Sequence, residues 1–189
     1  MNLISLFIVS VFSGNIVLTK FLGMCSFFGT SNKRKNAIYM GISVTIVTVL
    51  SSIITYFVNK YLLIPTNTTY LKTIIFILII SALVQIIQII LKKYFNRVYK
   101  NLGLYLPLIT TNCAILGIVL MCASSGYNLI QTIVYSFGSS IGFILVIYVF
   151  STIRERLEQC DVPKNFKGLP IALITASIMA LVFARYVGV

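Results

Sequence analysis

Six apolar stretches of about twenty residues each, at approximately 3–22, 37–58, 70–91, 102–122, 129–150 and 169–188, leave little freedom in how this chain can fold. A hydrocarbon core of about 30 Å is crossed by about 20 apolar residues in a helix. Lipid offers no partner to an unpaired backbone group, so each stretch must be helical. The expectation is an all-α membrane protein with six transmembrane helices. The gaps between stretches are too short for a further domain, which predicts a single integral membrane domain over residues 1–189. The first stretch has no basic segment before it, its first positive charge being Lys20, and no small-residue cleavage signal after it. It reads as a retained helix and not as a leader peptide.

Charge decides the orientation. The chain has 15 Lys and Arg against 3 Asp and Glu, with only 10% charged residues in all, where a soluble domain carries about 25%. Nucleic-acid binders present basic residues on a soluble face. Here those residues sit in short gaps between apolar runs, which argues for lipid contact and against a nucleic-acid partner. Twelve of the basic residues fall in the first, third and fifth gaps, and Lys60, Lys72 and Arg185 fall on the other side. By the positive-inside rule the three basic gaps are cytoplasmic and both termini face outward. The chain has no His, and its predicted spans hold no Asp or Glu. Imidazole metal sites and His acid–base catalysis are therefore excluded, and the carboxylate that usually marks an intramembrane proton relay is missing from the spans.

Two spans carry helix-breaking residues that an inert membrane helix would not need. The first holds Gly14-Asn15 and runs on through Lys20-Phe21-Leu22-Gly23-Met24-Cys25; the fourth holds Pro107 and then Thr110-Thr111-Asn112-Cys113. Pro107 lacks a backbone donor and clashes with the preceding turn, which predicts a kink or unwound turn. Thr110, Thr111 and Asn112 can satisfy freed backbone groups or cap a new half-helix. Setting Cys25 on Cys113, an offset of 88 residues, also aligns Leu18 with Leu106 and Gly29 with Gly117. Each half, about 1–95 and 96–189, then holds three spans, and an odd number turns the second half upside down relative to the first. Chance similarity between apolar runs is the competing explanation.

The chain has four cysteines, Cys25, Cys113, Cys122 and Cys160. A free cysteine in a membrane helix ordinarily acts as a small hydrophobe. Cys25 and Cys113 differ in occupying polar, helix-breaking contexts at equivalent places in the repeat, which would bring their sulfurs together. Facing thiolates suit a soft metal or an iron–sulfur cluster, which normally takes four cysteines; a disulfide is the competing chemistry. Cys122 lies nine residues beyond Cys113, about 13 Å along a helix and too far to share one cluster. Cys160 falls in a basic gap. The missing ligands would come from another subunit of similar build and opposite orientation. Lys20 either snorkels to the interface or offsets anionic charge near Cys25. Gln85 and Gln88 share a helix face and predict interhelical hydrogen bonds, Gly138-Ser139-Ser140-Ile141-Gly142 predicts a close helix contact, and Arg154-Glu155-Arg156 reads as the start of a solvated gap.

The stretches Leu18-Thr19-Lys20-Phe21-Leu22-Gly23-Met24-Cys25, Leu106-Pro107-Leu108-Ile109-Thr110-Thr111-Asn112-Cys113-Ala114, Ile153-Arg154-Glu155-Arg156-Leu157 and Ile171-Ala172-Leu173-Ile174-Thr175-Ala176 resemble the RnfA/NqrE family. Its members are membrane subunits of the Rnf ion-translocating ferredoxin:NAD oxidoreductase and of the sodium-pumping quinone reductase. The resemblance covers nearly the whole chain. It implies two inverted three-helix repeats with broken first and fourth helices, set in a bacterial cell membrane. It implies an RnfE-like partner of opposite topology and further Rnf subunits bearing flavin and iron–sulfur groups. It also implies a 2Fe–2S cluster shared with that partner, with Cys25 and Cys113 as this chain's iron ligands. Lys20, Gly23, Pro107, Thr110, Thr111 and Asn112 surround them as candidate supporting residues. The sequence departs from the family pattern at Ser26, where many members have Pro, at Gly14, where an Asn is common, and at Gln88, where Glu is frequent. The function so implied is that of a redox-driven ion translocase subunit, relaying electrons and coupled to Na⁺ or H⁺, with no complete active site in one chain. A substrate-binding membrane subunit of a vitamin or metal importer, which needs no cofactor, is the competing function, and a purely structural scaffold is a third.

Overall fold

The structure, a computed structural model, describes residues 3–12, 14–31, 34–63, 71–94, 108–109, 111–160, 163 and 166–187. Among them run eight α-helices: α1 (Leu3–Val11), α2 (Ile16–Lys20), α3 (Met24–Thr30), α4 (Arg34–Val58), α5 (Lys72–Tyr94), α6 (Cys113–Ser124), α7 (Leu129–Leu157) and α8 (Leu169–Val187). A π-helical turn, Asn59–Leu63, continues α4. Among the described residues the protein is all-helical. Three elements, α4 with its π-helical turn, α5 and α7, are long and apolar enough to cross a membrane, while α6 and α8 are apolar and shorter.

The first apolar stretch differs most from expectation. The break expected in the span over 3–22 divides it into three pieces, α1 to α3, that reach Thr30. Asn15 begins the second piece because its side-chain oxygen accepts the Val17 N–H, which caps a new helix. The kink expected at Pro107 lies outside the described residues. The fifth stretch is longer than expected, because Arg154-Glu155-Arg156 forms the last turns of α7 and not the start of a gap. Basic side chains favour a helix C-terminus, and these also have partners. The Arg154 Nη1 donates to Phe28 O and Ser31 Oγ at 2.9 Å each, closing the end of α3, and Arg34 pairs with Glu155.

Antiparallel α4 and α7 form the centre of the bundle, with Gly41 packed against Ile144. Their facing side chains, Met40, Val44 and Val47 with Val146, Ile147 and Phe150, join Phe76 of α5, Ile115 of α6 and Ala176 of α8 in one buried cluster. Phe27 stacks on Phe150 at a centroid distance of 4.3 Å, which fixes α3 to this core. The Gly138–Gly142 run makes the close contact expected of it. A Cβ at Gly142 would stand 2.7 Å from Val11 O, and Asn15 Nδ2 donates to Gly142 O at 3.0 Å. Several buried hydroxyls are satisfied within their own helices, as Thr48 donates to Val44 O and Ser140 to Ser136 O. That is a common solution where lipid offers no water. The outer faces are apolar: Ile4, Leu78, Ile89 and Leu181 are 67–75% exposed, an arrangement suited to hydrocarbon. Gln85 is exposed on α5, so the interhelical bond expected of it does not hold it inside the bundle.

Candidate metal centre

The centre is built where two helices restart. After α2, Phe21 adopts the left-handed conformation at φ 55°, and its N–H returns to Ile16 O. Gly23 follows at φ 86°, in a region that L side chains enter at a cost. α3 then begins at Met24, with Cys25 as its second residue. Ser26 donates its hydroxyl to Gly23 O at 2.9 Å and so takes part in closing this turn.

On the other side, Asn112 is the N-cap of α6, accepting the Ala114 N–H on Oδ1 at 3.0 Å. Cys113 is the first residue of that helix. The two breaks meet. The Gly23 N–H donates to Cys113 Sγ at 2.9 Å, and Cys25 Sγ lies 4.0 Å from Cys113 Sγ. Both cysteines are free thiols, Cys25 exposed and Cys113 half-buried. The approach depends on Gly23 having no side chain, since a Cβ there would stand 2.9 Å from the Ala114 Cβ. Asn112 is 4% exposed, and its Nδ2 meets no acceptor among the described residues. A cavity of about 210 Å³ bordered by Thr111, Asn112, Cys113 and Ile80 lies beside it, against α5.

The family model described as "Rnf-Nqr subunit, membrane protein" matches residues 3–189. The chain belongs to the Rnf-Nqr subunit family. Among curated relatives, a subunit of the Na(+)-translocating ferredoxin:NAD(+) oxidoreductase complex of Acetobacterium woodii is 49% identical over 188 residues, covering 100% of this chain and 98% of the relative. A subunit of the ion-translocating oxidoreductase complex of Shewanella sp. (strain ANA-3) is 46% identical over 183 residues, covering 97% and 95%. The corresponding subunit of Glaesserella parasuis is 46% identical over 185 residues, covering 98% and 96%.

In this member of the Rnf-Nqr family, the residues expected around the thiols divide into three groups. Gly23, Asn112, Cys25 and Cys113 come together. Lys20 ends α2 and is exposed, and Thr111 is exposed at the turn before Asn112. Pro107 and Thr110 lie outside the described residues. Cys122 is buried, 3.9 Å from Ser136 Oγ, and Cys160 is exposed with its thiol toward Arg156 O. Among the described residues no group of three or more His, Cys, Asp and Glu gathers, so the two thiols stand as a pair. Sequence reasoning marked Asn15 as a helix break without its capping role and read Arg154 as the start of a gap; these two hold the broken segment at either end. An Asn placed just before an apolar run was the available signal for the first.

Proposed function

We propose that this chain is the membrane subunit of an ion-translocating oxidoreductase complex and holds half of a 2Fe–2S cluster inside the bilayer, with Cys25 and Cys113 as iron ligands. The reading is carried by the pair of sulfurs 4.0 Å apart where two broken helices restart, one of them accepting a backbone N–H. Full-length similarity to subunits of complexes named as ion-translocating oxidoreductases supports it. The proposed topology is six spans in two inverted halves, about 1–95 and 96–189, with both termini outside a bacterial cell membrane and the basic gaps in the cytoplasm. Cys25 and Cys113 each sit in the first turn of a restarted helix, which supports the symmetry.

The residues present fit such a group. Iron in these clusters is held by thiolates, and a hydrogen bond to sulfur favours the charged form. The Gly23 N–H supplies that bond to Cys113, and the N-terminal end of α6 places its positive dipole beside the same sulfur. Gly23 leaves the room that a Cβ would fill, and the unpartnered Asn112 Nδ2 is a donor in the same turn. The remaining two ligands come from an RnfE-like partner of opposite topology. When bound, the cluster supplies a one-electron relay between the ferredoxin/NAD side and flavin carriers on other Rnf subunits, coupled to Na⁺ or H⁺ transport. The chain itself binds the iron through two sulfurs, fixes one sulfur through Gly23, and shields that sulfur's inner side with α5 and α6.

EPR and optical spectroscopy of the purified complex test this reading. Cys25→Ser and Cys113→Ser should each remove one 2Fe–2S signal while other centres persist. A complete wild-type set of signals in either variant overturns the assignment.

A further inference from the structure

A second cavity, of about 270 Å³, lies at the end of the bundle opposite Arg34 and Arg154. It is bounded by the last turn of α4 and its π-helical extension, the end of α6 and the first turn of α7, and its lining includes Thr55, Tyr56, Lys60, Tyr127, Asn128 and Thr132. Lys60 is the one charged residue among the described residues that line it, and no carboxylate does. The 29-residue helix α7 starts here with a capping box, in which Asn128 and Gln131 each accept the other's backbone N–H, and its positive dipole end faces the same region. Thr132 is 3% exposed, and its hydroxyl has no partner among the described residues although it lines the cavity. A buried donor of this kind costs free energy until something accepts from it. Lys60 Nζ stands 6.0 Å from the centre of the Tyr56 ring, at the outer limit of a cation–π contact. The ammonium is therefore only weakly held and available to a ligand.

Positive charge, a helix N-terminus and an unspent hydroxyl donor select an anion; a cation would meet Lys60 with no carboxylate to offset it. The position selects the source. The cavity closes one end of a membrane-crossing helix, at a level marked by Tyr56, Tyr61 and Tyr127, as aromatic residues mark the lipid–water interface. Phe57, Leu62 and Ile130 are 45–63% exposed on the adjoining elements and offer an apolar wall for an acyl chain. We propose that this cavity seats the phosphate group of an anionic phospholipid, with Lys60 and Thr132 as its principal contacts. The lipid site is independent of the cluster assignment.

Native mass spectrometry of the purified complex, titrated with phosphatidylglycerol, reads the site directly. Lys60→Met and Thr132→Val should each weaken retention of one lipid by about tenfold, equivalent to about 1.4 kcal/mol. Lys60→Arg and Thr132→Ser, which keep the charge and the hydroxyl, should retain it. Lys60 is exposed, so its substitution leaves the packing of the bundle alone, and subunit stoichiometry in the same spectra checks assembly. Equal retention in the wild type and the Lys60→Met/Thr132→Val double variant overturns the proposal, leaving a water-filled cavity. Displacement by inorganic phosphate at millimolar concentration, or equal retention of phosphatidylcholine, also overturns the anionic-lipid assignment.

Discussion

Substituting Gly23 by alanine perturbs the fold and the candidate centre through one added methyl group, and its two effects can be measured separately. An L residue at φ 86° pays a conformational cost of about 1 kcal/mol. The new Cβ would stand 2.9 Å from the Ala114 Cβ and 3.4 Å from Asn112 Oδ1 and the Phe143 ring. Ala114 is 2% exposed in the first turn of α6 and has no flexible end to move aside. Overpacking of this kind costs about 1–3 kcal/mol, so the destabilisation expected in total is about 2–4 kcal/mol. Relief of the clash must separate the two breaks, which lengthens the 2.9 Å bond from Gly23 N–H to Cys113 Sγ. A hydrogen bond is worth about 1 kcal/mol, and for a one-electron couple about 1.4 kcal/mol corresponds to 59 mV. The donor favours the more negative, reduced state, so its loss should lower the potential of the proposed cluster by at most about 40 mV on the same scale. Thermal unfolding of the complex and a potentiometric EPR titration measure the two effects. Gly126→Ala is the control: its φ of 64° carries the same strain, but nothing lies within 4 Å of the added Cβ. It should cost about 1 kcal/mol and leave the potential unmoved. A Gly23→Ala complex that unfolds with the wild type, or that matches Gly126→Ala in both readouts, refutes the reasoning.

Two further outcomes follow from the same geometry. Asn112→Ala should cost about 1 kcal/mol through loss of the α6 N-cap, whereas Asn112→Asp keeps the capping oxygen and recovers most of it, as thermal unfolding would show. Arg154→Ala should destabilise the complex by about 1–3 kcal/mol, since it frees Phe28 O and Ser31 Oγ at the end of α3. Glu155→Ala, which breaks only the exposed pair with Arg34, should cost less than about 1 kcal/mol in the same assay.

The long spans were legible because lipid imposes one solution on an apolar run, and α4, α5, α7 and α8 fall within a few residues of the stretches that predicted them, apart from the extension of α7. That extension was hidden because Arg154 reads locally as the start of a polar gap. Only the fold reveals that Phe28 O and Ser31 Oγ, more than 120 residues earlier, await its guanidinium. The helix breaks were legible in kind but not in number. Gly14-Asn15 and Gly23 signalled trouble in the first stretch, yet its division into three depends on Asn15 finding both Val17 N–H and Gly142 O. The pairing of Cys25 with Cys113 was suggested by a weak internal alignment. The bond from Gly23 N–H to sulfur could not have been read in advance, because it joins backbone to side chain across 90 residues.

The exposure of Cys25 beside the break has a physical consequence of its own. Irregular backbone at membrane depth is tolerated only where protein or a water-filled cavity covers it. From Phe21 to Gly23 the chain leaves the helix, with Phe21 54% exposed and in the left-handed conformation. Cys25 is exposed immediately beyond it. The N–H groups of this break are paired within the chain, those of Phe21 and Leu22 with Ile16 O and that of Gly23 with Cys113 Sγ. The sulfurs themselves are what would need cover, because thiolates that hold iron are charged and lipid does not solvate charge. On the proposed function this pair supplies half of a four-thiolate site, so the partner that completes the site would also cover this face.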